Sequence, residues 1–158
     1  MFHLVLHQPE IPHNAGAAGR LCLATGSKLH LIKPLGFSLD DKQVRRAGLD
    51  YWKDVDLQVW DSLEDLQQRA ADGARFWFFT TKGTRAHWDL QFHDGDYLVF
   101  GCETRGLPES ILHQHEHQLA RIPMNPESTR SLNLSTSAAI ALYEAVRQTH
   151  STPPPSSD

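Results

Sequence analysis

The chain has 158 residues, 40% of them hydrophobic, 22% charged and 9% aromatic, which suits one globular core and excludes a fibre or a wholly disordered chain. Fifteen Lys and Arg against 19 Asp and Glu give a formal charge of −4, which argues against a generally sticky polyanion binder. Cys22 and Cys102 have no disulfide or zinc spacing, the N-terminus has no basic segment, and no run approaches the ~20 apolar residues of a membrane span, so a reducing cytoplasm is expected.

In chain order, Phe2 to Leu6 predicts a first strand and Gly16 to Ala24 the helix after it. Leu29 to Ile32 predicts the second strand, Lys42 to Gly48 a helix, Val55 to Trp60 the third strand and Ser62 to Ala71 another helix. Further strands are expected at Phe76 to Thr80, Tyr97 to Phe100 and Leu119 to Ile122, with a short helix from Pro108 to His113. Asn133 to Gln148 closes the series, with Leu134, Ala138, Ala141, Leu142 and Ala145 spaced as one apolar helical stripe. Strands alternating with helices imply an α/β fold whose mostly parallel sheet is covered by helices. Residues 1–150 read as one domain and residues 151–158, rich in Pro and Ser, as a disordered tail.

Ligands of open α/β sheets bind beyond the carboxyl ends of the strands, and four such segments stand out. Asn14 to Arg20 opens the first helix with small residues, yet lacks the G-x-G-x-x-G dinucleotide fingerprint; it reads equally as close helix packing with a solvent-facing Arg20. Thr80 to Arg85 is polar and basic, fit for a ligand, an RNA phosphate or a solvated turn. In Phe100 to Pro108, Gly101 and Gly106 bracket Glu103 and Arg105, either as a ligand loop or as a surface ion pair. Arg121 to Ser135 brings Ser131 and Asn133 to the mouth of the last helix, where both also suit an N-cap.

Taken in order, these segments resemble the SpoU–TrmD (SPOUT) class of RNA methyltransferases, closest to its tRNA (cytidine(34)-2′-O)-methyltransferase branch. The resemblance spans residues 1–148 and includes Pro9-Glu10-Ile11-Pro12 with Asn14, the stretch from Asp41-Lys42 to Tyr51, and Asp94-Gly95-Asp96-Tyr97. It implies a C-terminal trefoil knot, which general topology rules would discard, and S-adenosylmethionine as cofactor, leaving as S-adenosylhomocysteine. The implied cradle is Phe79, Thr80, Gly101, Glu103, Gly106, Ile122, Met124, Ser131 and Leu132, and the implied catalytic set is Asn14, Arg20, Glu103, Ser131 and Asn133. No metal is required.

The implied reaction moves a methyl group to a ribose 2′-hydroxyl of the wobble nucleotide, cytidine or carboxymethylaminomethyluridine, of leucine tRNAs. Arg20 is expected to position the ribose or a phosphate and to stabilise alkoxide charge, because a guanidinium rarely deprotonates. Glu103 is expected to orient Arg20 or its own loop. The resemblance also implies a homodimer through the knot region, each site borrowing residues from its neighbour, with the first helix and the stripe of the last at the interface.

Against the branch pattern, Gly19 stands where a larger apolar residue is usual and Cys102 where proline is common. Other readings are a SPOUT enzyme for another tRNA position or ribosomal RNA, a non-catalytic RNA-binding module of this fold, and a hydrolase on Ser131, which lacks a G-x-S-x-G elbow. His113, His115 and His117 read as a solvated helix end, and Tyr51, Trp52 and Trp88 as packing residues or base-stacking platforms. The charge is uneven: residues 20–53 carry seven cations against three carboxylates and residues 54–72 one against six. A phosphate-facing side therefore combines Lys42, Arg45 and Arg46 with Lys82, Arg85 and Arg130.

Overall fold

Apolar side chains alternate between two faces along every long strand, and that alternation builds the molecule. In the computed structural model, which describes residues 1–40, 42, 46 and 51–150, six parallel strands form one sheet. They are β1 (His3–His7), β2 (Lys28–Ile32), β3 (Leu57–Trp60), β4 (Phe76–Phe79), β5 (Tyr97–Phe100) and β6 (Leu119–Ala120), in the order β3-β2-β1-β5-β4-β6. Leu4, Leu6, Leu29, Leu31, Leu98 and Phe100 point into one core; Val5, Ile32, Phe76, Phe78, Tyr97 and Val99 point into the other.

Helices α1 (Pro12–Thr25) and α4 (Leu134–Thr149) cover the first face and pack on each other, while α2 (Leu63–Arg69) and α3 (Glu109–Gln114) cover the second. Small residues allow the close α1–α4 approach: Ala15, Ala18 and Cys22 on one side, Ala138, Ala141 and Ala145 on the other, all fully buried. The apolar stripe of the last helix is thus consumed within the chain itself and is not held open for a second subunit. The faces these helices leave outward carry Leu23, Ile140 and Tyr143 instead.

Several boundaries differ from expectation, three of them near the site or its approaches. Helix α1 starts at Pro12, four residues earlier than its small-residue run suggests, because proline is pre-organised for a first helical turn. Strand β3 begins only at Leu57, after a 3₁₀ turn over Trp52–Asp54. Strand β6 ends at Ala120, so Ile122 lies beyond it. The helix expected over Lys42 to Gly48 falls largely outside the described residues, although Lys42 and Arg46 are helical and exposed. The expected tail at 151–158 lies outside them too.

Aromatic side chains settle elsewhere than a surface reading implies. The Trp52 ring lies over Gly19, where a Cβ would sit 2.6 Å from its Cζ3, so the missing side chain makes room for the indole. His115 stacks on Phe78 with ring centroids 4.2 Å apart, so it is not a freely solvated helix end. Cys22 is buried, and burial pushes its thiol up to about 12; Cys102 is only half-buried.

Across β3, β2 and β1, Trp60 Nε1 donates to His30 Nδ1 at 3.0 Å, which leaves the His30 Nε2 hydrogen to bond His3 Nδ1 at 2.9 Å. His30 is 2% exposed, and burial, then His3 and Lys28, push its pKa down to about 3. In the unfolded chain an imidazole takes up its proton near pH 6.5, whereas His30 refuses it in the fold until about pH 3. Stability is therefore unaffected above the unfolded value and declines as pH falls from there. Urea unfolding at pH 7 and pH 5 is expected to differ by about 2 kcal/mol from this group, and a His30→Gln chain should lose most of that difference. Equal stability of the native chain at both values would contradict it.

Candidate active site

The sheet reverses its winding at β1: β2 and β3 extend one way, β5, β4 and β6 the other. Loops leaving β1, β4, β5 and β6 at their carboxyl ends therefore splay apart, and a cleft of about 760 Å³ opens between them. An adjoining hollow of about 120 Å³ is lined by Phe79, Phe100, Ile122, Met124 and Leu132 with Thr80, Ser131 and Ser137. All nine residues expected to cradle the cofactor line one or both: Phe79, Thr80, Ser131 and Leu132 both, Gly101, Glu103 and Gly106 the larger, Ile122 and Met124 the smaller.

Gly101 is dictated by space. A Cβ there would lie 2.1 Å from the Gly106 carbonyl carbon and 2.2 Å from Leu107 N, so two stretches of main chain pass in contact. Gly106, at φ 69, closes the loop by donating its N–H to Cys102 O at 3.0 Å. The result is a tight loop that lines the cleft from Gly101 to Gly106.

Glu103 accepts from the main-chain N–H groups of Glu10, at 2.9 Å, and Ile11, just ahead of α1, and from Asn14 Nδ2 at 3.4 Å. Asn14 is 2% exposed. Its Oδ1 in turn accepts from Asn133 Nδ2 at 3.2 Å. Asn133 caps α4, its Oδ1 accepting from Ser135 N at 2.9 Å and Thr136 N at 3.2 Å. The capping alternative and the site alternative for Asn133 thus coexist, because one amide has two ends. Three segments distant in sequence are tied by a single polar chain, Glu103 to Asn14 to Asn133.

Ser131 lines the same cleft. Arg20 does not: it is exposed, with its guanidinium 5.8 Å from the centre of the Tyr51 ring, and is absent from the residues lining either cavity. Six residues after Asn14 on a helix, it points about 120° away and about 9 Å further along. The chain therefore gathers Asn14, Glu103, Asn133 and Ser131 and leaves Arg20 on an outer face.

The basic residues are dispersed. Lys82 lines the cleft and pairs with Glu109 at its rim. Arg85 lies 5.9 Å over the Trp77 ring, and Arg130 is exposed on the loop before Ser131. Arg45 lies outside the described residues. Trp88, 58% exposed, is the outward-facing member of the three aromatic candidates. Thr81, Leu107 and Pro108 also line the cleft; they lie inside the two segments singled out after β4 and β5, although none was named there as a site residue.

Residues 1–143 match the model described as the SpoU rRNA Methylase family. A protein from Methylovorus glucosotrophus named tRNA (cytidine(34)-2′-O)-methyltransferase is 55% identical over 150 residues, spanning 94% of this chain and 96% of the relative. One from Bacillus subtilis, named putative tRNA (cytidine(34)-2′-O)-methyltransferase, is 49% identical over 149 residues and 92% of each chain. A solved structure described as "Structural insights into the 2-OH methylation of C/U34 on tRNA" superposes with a TM-score of 0.89 at 48% identity, covering 94% of this chain and 95% of that one. The SpoU methyltransferase AviRb from Streptomyces viridochromogenes, in complex with the cofactor AdoMet, shares the fold with a TM-score of 0.81 at 24% identity, over 92% of this chain and 57% of that one.

Proposed function

This chain belongs to the SpoU methylase family, and on that premise we propose that it is a tRNA 2′-O-methyltransferase acting on the wobble nucleotide, cytidine 34 or carboxymethylaminomethyluridine 34, of leucine tRNAs, with S-adenosylmethionine as donor. The observation that carries the reading is the cleft, where an apolar hollow adjoins a polar loop and a three-residue amide and carboxylate chain. An adenosine ring needs an apolar slot with main-chain hydrogen bonds at its edge, and Phe79, Phe100, Ile122 and Leu132 beside the Gly101–Gly106 loop fit that need. When bound, the donor supplies a methyl group on a positively charged sulfur.

The chain's own residues must hold the ribose and manage one proton. A 2′-hydroxyl is a poor nucleophile until its proton is shared or lost. Ser131 and Asn133, at the cleft end of α4, are the groups offered to the ribose, and Glu103 and Asn14 keep Asn133 in place. Arg20 is assigned the alkoxide charge. Since it stands on an outer face, this role requires the homodimer, in which the site of one subunit receives Arg20 of the other. The outward Leu23, Ile140 and Tyr143 suit such an interface, and the C-terminal trefoil knot belongs to the same reading.

Arg20→Ala is the direct test in a methylation assay on leucine tRNA. Turnover is expected to fall by about 100-fold or more with binding of S-adenosylhomocysteine unchanged, and near-native turnover would remove Arg20 from the mechanism. A monomeric mass with full activity would remove the dimer. Affinity for tRNA should also fall as a power of salt concentration, because exposed Lys42, Arg46, Lys82, Arg85 and Arg130 meet phosphates.

A further inference from the structure

Glu10 has no place in the assignments above, yet it stands where the loop after β1 meets the loop after β5. Resting on the methyltransferase reading, we infer that Glu10 is a positioning residue: its carboxylate holds the Cys102–Gly106 loop at Thr104 and so presets that loop for the methyl donor. Glu10 Oε1 accepts from Thr104 N at 3.1 Å and from Thr104 Oγ1 at 2.6 Å. The neighbouring Glu103 returns the contact, accepting from Glu10 N at 2.9 Å and 3.2 Å. Bonds run both ways across one junction, so neither segment shifts alone.

The Glu10 side of the junction is braced from behind. Gly36 donates its N–H to Pro9 O at 2.9 Å, and it packs so near that a Cβ on it would lie 2.7 Å from Glu10 O. Gln8 sits at φ 55, in the left-handed region a non-glycine residue rarely adopts, with its N–H bonded to Ile32 O at 2.9 Å. This turns the chain out of β1 and fixes Pro9–Ile11 against β2 and the loop beyond it. Glu10 is therefore anchored at its backbone and reaches the cofactor loop with its carboxylate. The hydrogen bonds from Thr104, with a smaller one from Cys102, also hold that carboxyl below the usual carboxylate range.

A loop of 102–106 held in one arrangement before the ligand arrives loses less freedom on binding. Removing Glu10 should therefore act on affinity for the donor more than on the rate of the bound complex. The test compares the native chain with Glu10→Gln, Glu10→Ala, Thr104→Val and the Ala/Val double variant, by calorimetry with S-adenosylhomocysteine and by steady-state methylation of leucine tRNA. Glu10→Ala is expected to raise Kd and the KM for S-adenosylmethionine about 10-fold and Thr104→Val about 3-fold, with kcat changed far less.

The double variant should be no weaker than Glu10→Ala alone, because both remove one contact, and Glu10→Gln, which keeps the Oε1 acceptor, should stay within about 3-fold of the native chain. Native binding by Glu10→Ala, a Gln variant as weak as the Ala variant, or full additivity in the double variant would each overturn the inference. If the native chain neither binds S-adenosylhomocysteine nor methylates tRNA, the methyltransferase reading itself falls and takes the inference with it.

Discussion

Gly101→Ala is expected to weaken cofactor binding about 100-fold while leaving most of the sheet folded. The added methyl would lie 2.1 Å from the Gly106 carbonyl carbon, 2.2 Å from Leu107 N and 2.6 Å from Gly106 O, all main-chain atoms. Side-chain atoms can rotate out of such an overlap; main chain cannot. Relief demands a shift of about 1 Å between the end of β5 and the start of the α3 approach, and a displacement of that size in a binding site costs on the order of 100-fold. Buried Leu107, which belongs to the second core beside Ile111 and Leu112, resists the shift from below. Calorimetry with S-adenosylhomocysteine should show Kd raised by about that factor, with a far-ultraviolet dichroism spectrum close to native. A native Kd would mean that the loop lies outside the binding contact.

The largest loss of stability is expected from Asp96→Ala. Asp96 is 2% exposed, and its two oxygens accept from Arg75 Nε at 3.0 Å, Arg75 Nη2 at 2.9 Å, Trp77 Nε1 at 3.0 Å and His93 N at 2.9 Å. Truncation removes the acceptor for all of these at once and strands an indole N–H and a main-chain N–H in a part-buried place, while the half-buried guanidinium keeps Gln91 O as an acceptor. Leaving the part-buried donors without their acceptor costs about 1–3 kcal/mol each and about 3–5 kcal/mol together, which for a domain of this size lowers Tm by roughly 10 °C. Asp96→Asn, which keeps one carbonyl oxygen and the shape, should fall between. A loss below about 1 kcal/mol for Asp96→Ala would show that water replaces the carboxylate without cost.

Strands and layers were legible in the sequence because each strand is a short apolar run and each run is long enough to fill two faces. The lining of the cleft was legible for a related reason: Phe79 ends β4, Gly101 follows β5 and Ile122 lies just beyond β6, and position relative to a strand is a property of the linear chain. What the sequence hid is rotational and long-range. Asn14 and Arg20 read as neighbours in one motif, yet the helical phase between them turns Arg20 to another face. Glu103 read as a partner for Arg20 or Arg105, whereas its acceptors are filled by main-chain N–H groups 93 and 92 positions away, which carry no residue signature. The apolar stripe on α4 is real, but a stripe does not state its partner, and α1 with the sheet claims it before a second subunit does. The early start of α1 was masked because Pro9 and Pro12 look like a loop until Pro12 is placed at a first helical turn.

The amide chain joining Glu103, Asn14 and Asn133 has a kinetic side. Asn133 meets Asn14 across 119 positions and Glu103 meets Asn14 across 89. Contacts that close such long loops, the β1–β5 pairing among them, form after local turns. A chain that has not docked its last helix therefore lacks both the Asn133 end of this polar chain and the Ala138, Ala141, Leu142 and Ala145 share of the first core. Catalytic activity in this fold reports the completion of folding, and it should appear in refolding experiments as the slowest-developing signal, behind the burial of the sheet's aromatic side chains.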